Sequence, residues 1–282
     1  MHKLNTASLN SSHPFNEMCA VRLGKVWLQS VDLDELFLGS GYQLKHIVTV
    51  NSEIFVYAHQ NEAFETILRR TVNTIDGRIV HFLCSLLYRG QKLRKLSGAD
   101  FIYDLADYAA RHGEGVFLLG ADAGSNQGTI QVLKARCPDL IVDGYSPSFC
   151  LNIQEQEWNE DILRRIAGCR PTHLVVCFGP VKQEMWISHN AEKLFRLGVR
   201  CAYGLGGTLD FVSGRKKRAP KWIQTVGAEW LFRFLSEPRQ RLGRTAEMFK
   251  MPYFAFRFYN REVELSREPR VVEPQVSNAS ER

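Results

Sequence analysis

Val175-Val176-Cys177-Phe178-Gly179-Pro180-Val181-Lys182-Gln183-Glu184 runs from a β-branched, apolar stretch through Gly-Pro into a charged helical start. Such a run, bounded by glycine and proline, reads as a buried strand that breaks into a loop and then a helix. The pattern returns at Cys201-Ala202-Tyr203-Gly204-Leu205-Gly206-Gly207, a second small-residue strand with a glycine-rich exit. In an open α/β sheet the ligand crevice lies outside the carboxyl ends of the strands, so these two exits indicate where a site should form.

Working toward the N-terminus, His46 to Val50 is another β-branched run, ending at Asn51. Residues 52–70 then show helical periodicity through Ile54, Ala58, Phe64, Ile67 and Leu68. Asp76-Gly77 precedes the mostly apolar 79–87 and the basic 89–95. Ser97 is placed to cap a helix over 99–111 that ends at Gly113. Val116 to Gly120 is a further buried strand, followed by the loop 121–125 and a helix to Arg136. Leu140 to Val142 with Asp143-Gly144, then helices over 160–167 and 183–197, complete the alternation. Nearer the start, Val26-Trp27-Leu28 and Val31 to Phe37 suggest a short strand leading into a brief helix.

Strands alternating with helices under the right-handed crossover rule give an α/β fold: a Rossmann-like, mainly parallel, doubly wound sheet. Its strand exits, Thr49 and Asn51, Gly120, Asp143, Gly179 to Gln183 and Gly204 to Gly207, are expected to converge on one crevice. At 282 residues the chain supports one substantial core with an appendage. The expected divisions are a disordered leader over 1–20, an α/β catalytic domain over 21–214, a basic helical C-terminal appendage over 215–261 and a disordered tail over 262–282.

Composition narrows the classes further. Seven cysteines without a Cys-x-x-Cys pair argue against a disulfide framework and a zinc knuckle, and point to a reducing, cytoplasmic setting. No stretch approaches the roughly 20 apolar residues of a membrane-spanning helix, and the first fifteen residues lack a signal-peptide pattern. Net charge is +6, and its distribution is uneven: residues 215–261 hold twelve Lys/Arg against three Glu, a net +9, leaving −3 for the rest. A mildly acidic body with a basic, aromatic-rich extension fits an anionic partner.

Few residues invite chemistry on their own. Asp32-Leu33-Asp34 has a metal-binding spacing but reads as a helix cap, apart from any strand end. Asp76-Gly77 taken alone is a turn pair. Gly204, Gly206 and Gly207 suit close backbone approach to a phosphate but do not have the dinucleotide spacing. His173 and His189 have no second ligand at metal spacing, and no Gly-x-Ser-x-Gly elbow is present.

Lys182-Gln183-Glu184, Gly206-Gly207-Thr208-Leu209-Asp210-Phe211, Arg218-Ala219-Pro220, Glu229-Trp230 and Glu237-Pro238-Arg239 together resemble the bacterial WecG/TagA/CpsF glycosyltransferases over about 45–244. The resemblance implies a metal-independent, inverting enzyme without a cofactor, moving a sugar from a UDP-sugar to a polyprenyl-diphosphate-linked saccharide in surface or exopolysaccharide synthesis. N-acetylmannosamine, its uronic acid and glucose are all candidate sugars. It makes Asp76 the general base, since an acceptor hydroxyl must lose its proton as it attacks the anomeric carbon. Thr49, Asn51, Gln183, Gly120, Gly206, Gly207 and Asp210 become substrate-binding residues. Arg94 becomes a diphosphate ligand, with Arg218 and Arg233 serving the same anion from the appendage. One departure stands out: relatives have Gly-x-Pro-Lys-Gln-Glu, whereas the proline here is displaced by one position.

The lipid-linked acceptor explains the charge map. A protein working on it from the cytoplasm is expected to sit peripherally on the inner face of the plasma membrane, with the appendage against anionic lipid. Self-association into a homo-oligomer is left open. The rival reading, a basic nucleic-acid-binding module, uses the same cations and aromatics but explains neither Asp76 nor the crevice.

Overall fold

The computed structural model describes residues 18–216, 220 and 249–266. Its frame is a nine-stranded sheet ordered β6-β5-β7-β8-β3-β4-β2-β1-β9. The strands are β1 (Met18–Leu23), β2 (Val26–Ser30), β3 (Lys45–Val50), β4 (Val72–Ile75), β5 (Gly115–Gly120), β6 (Ile141–Tyr145), β7 (His173–Cys177), β8 (Cys201–Gly204) and β9 (Val263–Ser266). From β6 across to β2 every pairing is parallel, whereas β1 runs antiparallel to both β2 and β9. The strands β5 and β7 are largely apolar because both faces are covered; all five residues of β7 are buried.

One face packs α1 (Leu33–Phe37), α5 (Gly98–His112), α6 (Ala123–Arg136) and α9 (Thr208–Val212) against Ile47, Leu118, Val175 and Tyr203. On the other face, α2 (Ser52–Gln60), α3 (Glu62–Arg69) and α4 (Arg78–Leu87) cover Leu28, Val48 and Ile75. Beside them, α7 (Gln156–Cys169) and α8 (Lys182–Arg196) cover Leu119, Val176 and Ala202. Side chains alternate between the faces along β3, Ile47 to one cluster and Val48 to another, as the period of two requires. The doubly wound reading of the sequence holds.

Several boundaries differ from the sequence reading. The helix expected over 52–70 is two helices. Asn61 ends α2 and caps α3 through its own side chain, accepting from Phe64 N at 2.9 Å, so the second turn of the chain starts afresh there. Strand β4, with polar Asn73 and Thr74 among only four residues before Asp76, is too short and mixed to carry a strand signal of its own. Strand β1 begins inside the expected leader and β9 inside the expected tail. Each covers the other's edge: Arg22 N donates to Glu262 O at 3.1 Å, and the Arg22 guanidinium pairs with the Glu262 carboxylate at 2.7 Å. Asp143 is not at a strand exit. It pairs with Phe117 within β6, and its carboxylate accepts from Cys169 Sγ near the end of α7, so it does not join the crevice.

Residues 249–257 are helical, with Met251 and Ala255 buried in the cluster beneath α2 and α4. Phe254 and Phe258 lie against His59 at the end of α2. That contact sits beside the Gly24 turn between β1 and β2, at the sheet edge opposite the strand exits.

Candidate active site

The exits of β4, β3 and β8 lie side by side at the centre of the sheet. Val50 and Ile75 are register partners, and the ladder continues one step further as Asp76 N donates to Val50 O at 3.0 Å. Asn51 and Asp76 therefore leave neighbouring strands together. Asn51 is the cap of α2, its Oδ1 accepting from Glu53 N and Ile54 N at 3.0 Å, and its amide nitrogen retains donor capacity. Asp76 is half-buried, and its Oδ1 accepts from Gly77 N at 2.8 Å. Gly77 holds φ +77° at the start of α4, a conformation that glycine adopts without penalty, and this turn presents the aspartate at the sheet edge.

Thr49 ties β3 to β8: its buried hydroxyl donates to Gly204 O at 2.9 Å and retains acceptor capacity. Beyond Gly204 the loop turns at Gly206, with φ +56°. Gln183 fixes this loop. Fully buried in the first turn of α8, it accepts from Gly206 N at 3.0 Å and donates from Nε2 to Glu184 Oε1 at 2.7 Å. Its amide is thus a strut from α8 to the glycine loop of β8. The displaced proline lies just upstream, where the chain reaches α8 through Gly179 at φ +92° and Val181 at φ +69°. A β-branched residue in that region is strained. Lys182 then turns to the Cys150 carbonyl, among the rings of Phe149, Trp158 and Phe178.

Farther along the edge, β5 leads outward to β6 while β7 leads inward to β8, so the chain changes direction between them. Gly120, at φ +99°, ends β5 there; a Cβ on it would stand 2.7 Å from Cys177 O. Asp122 caps α6 through Gly124 N and Ser125 N and is paired with Arg215. Asp210, at the start of α9, accepts from Ser125 Oγ at 2.8 Å and lies 3.3 Å from Lys216 Nζ. That arrangement fastens α9 to the head of α6, so Asp210 has a packing role at the rim of the crevice.

Arg94 lies at the β4 side of the same edge. Leu96 N donates to Ile75 O at 2.8 Å and Arg94 N to Ser30 Oγ at 2.9 Å, which threads the basic loop past the ends of β4 and β2. Its exposed guanidinium stands 3.7 Å from Asp32 Oδ1. Asp32 does cap α1, accepting from Leu33 N. Its expected separation from the crevice needs correction, because β2 is parallel to β4 and delivers Asp32 to the same edge. Arg218 and Arg233 lie outside the described residues. His173 sits buried between the Tyr203 hydroxyl and Glu114, and His189 is exposed.

Glu184 is the residue that sequence reading missed. By residue type it belongs to the charged start of a helix, yet it has no exposed surface, and burial pushes its carboxyl up to about 7. A signal was present: the inward stripe of α8 through Trp186, Ile187, Asn190 and Leu194, carried back by three and four residues, falls on Gln183 and Glu184.

A doubly wound sheet of the Rossmann-like α/β class thus carries a carboxylate, an amide and a pinned glycine loop on adjoining strand exits, the place where ligands bind in open α/β sheets. The chain belongs to the glycosyl transferase WecG/TagA/CpsF family, whose model matches residues 22–268, and it is a glycosyltransferase. It is 28% identical over 209 residues to a Bacillus subtilis (strain 168) N-acetylglucosaminyldiphosphoundecaprenol N-acetyl-beta-D-mannosaminyltransferase, covering 74% of this chain and 77% of the relative. The Bacillus spizizenii (strain ATCC 23059 / NRRL B-14472 / W23) enzyme of the same name is 30% identical over 208 residues, with 74% and 76% covered. No helix among the described residues is long and apolar enough to cross a membrane.

Proposed function

We propose that the chain transfers N-acetylmannosamine from UDP-N-acetylmannosamine to an N-acetylglucosaminyl-diphosphoundecaprenol acceptor, with inversion and without a metal. The observation that carries this reading is the grouping of Asn51 and Asp76 on the exits of β3 and β4 beside the Gln183-held loop of β8. The names of the relatives support this choice of sugar and acceptor. In the reaction, Asp76 accepts the acceptor hydroxyl's proton as that oxygen bonds to the anomeric carbon. The bond from this carbon to the diphosphate oxygen breaks on the opposite face, and UDP leaves with the electron pair.

Thr49 and Asn51 orient the sugars, while Gly206 and Gly207 bring backbone close to the donor diphosphate. Gly120 and Asp210 shape the far wall, and Arg94, Arg218 and Arg233 neutralise diphosphate charge. The segment 215–261 holds the enzyme to anionic lipid on the cytoplasmic side. Within it, Phe249, Tyr253 and Phe256 are exposed at helical spacing beside Lys250 and Arg257. The test is transfer from UDP-N-acetylmannosamine to a short-chain N-acetylglucosaminyl-diphospholipid in excess EDTA, with the product's anomeric configuration read by NMR. A β-linked disaccharide is expected. No product with this donor would overturn the sugar assignment, and product that appears only after Mn²⁺ is restored would overturn metal independence.

A further inference from the structure

Glu184 is a buried acid at the centre of the edge where the donor reading places the diphosphate, and that reading gives it no part. Its surroundings define what it can do. Oε1 accepts from Gln183 Nε2 at 2.7 Å, and the other end of the same amide accepts from Gly206 N at 3.0 Å. A Cβ on Gly204 would stand 2.5 Å from Glu184 Oε1 and 2.9 Å from Gln183 Nε2, so both side chains lie flat against the strand exit. Oε2 is buried with no hydrogen-bond partner among the described residues. A buried carboxylate left that way is costly, so the group must either gain a partner or hold a proton.

We propose that Glu184 is a positioning residue for the donor: through the Gln183 amide it fixes the backbone N–H of Gly206, and it does so as the neutral acid once the diphosphate is bound. The placement of the diphosphate rests on the proposed function above. Three features favour the neutral form. Burial is the largest influence and lifts the carboxyl to about 7, while the Gln183 amide and the nearby N–H groups of Glu184 and Val181 pull it back only in part. Glu53, in the first turn of α2, adds a like charge that raises it further. Lys182, next in sequence, is turned away to the Cys150 carbonyl. A diphosphate diester arriving at the Gly206 loop adds two more negative charges, so binding takes up a proton. Gln183 remains in place throughout, because the carbonyl oxygen of the neutral acid still accepts from Nε2.

The experiment has two readouts, one independent of the donor. In the free protein, the Gly206 amide resonance is expected to titrate with a midpoint near 7, following Glu184 through Gln183. It should be flat in Glu184→Gln, which is neutral at every pH and nearly the same shape. By calorimetry, wild-type affinity for UDP-N-acetylmannosamine, whose diphosphate has no group titrating between pH 6 and 8, should fall about tenfold from pH 6 to pH 8, with proton uptake at pH 8. Glu184→Gln should hold the pH 6 affinity at both values, while Glu184→Ala, which frees the Gln183 amide, should bind about tenfold more weakly at both. A wild-type Gly206 resonance unmoved between pH 5 and 9 overturns the proposal, as does Glu184→Gln binding as weakly as Glu184→Ala. If Gly206 titrates as expected but no UDP-N-acetylmannosamine binds at either pH, the donor reading fails and the positioning role stands.

Discussion

Replacing Glu184 by glutamine should change how stability depends on pH, by an amount that follows from the burial of one carboxyl. The folded state holds the group at about 7 against an ordinary value of 4.5. Between these values the native protein binds a proton that the unfolded chain has released, so stability falls as pH rises through this window and then levels off. Moving the carboxyl from 4.5 to about 7 corresponds to about 3.4 kcal/mol, of which about 2.5 kcal/mol lies between pH 5 and pH 8. The wild type should therefore lose about 2.5 kcal/mol relative to Glu184→Gln over that interval, a sizeable part of the 5–15 kcal/mol by which domains are usually stable. Urea unfolding of both proteins at pH 5, 6, 7 and 8 measures this difference directly, since every other titrating group is common to the two. Parallel stability curves would show that Glu184 is ionised with an ordinary affinity for protons, and would refute the reasoning from burial.

Three further outcomes are expected. Asp76→Asn should lower turnover by about 10²–10⁴ while leaving the melting curve and donor affinity near wild type, checked by saturating-substrate kinetics and calorimetry; a near-normal rate would remove Asp76 as the base. Gly120→Ala should cost at least about 2 kcal/mol, because alanine at φ +99° is strained and its Cβ would meet the Cys177 carbonyl; denaturant titration reads the loss. Tyr253→Ser with Phe256→Ser should leave stability within about 0.5 kcal/mol, as both rings are exposed, yet reduce sedimentation with anionic liposomes; unchanged sedimentation would show that this face does not meet lipid.

The parts of the site legible in the sequence were those whose signal is local. Gly206, Gly120 and Gly77 announce turns because only glycine holds those backbones cheaply, and Asn51 closes a β-branched run where helical periodicity begins, its side chain satisfying the first amides of α2. Where a local reading misled, a long-range contact decided the matter. Nothing near Glu262 predicts that the chain will return to pair with β1, since that strand's open edge was made 240 residues earlier, at Arg22. Asp32 likewise looked remote because β2 shows no glycine exit, whereas its parallel pairing with β4 brings it beside Arg94.

By itself the sequence determined the doubly wound class, through alternating apolar periods of two and 3.6, and it pointed to the strand exits as the site. The order of the strands was beyond it, and that order sets β3 between β8 and β4 and so brings Thr49, Asn51 and Asp76 next to the Gly204 exit. The state of Glu184 was also beyond it. Residue type makes that side chain an acid; only packing α8 onto β8 strips it of water, and desolvation is what moves its proton affinity to neutrality.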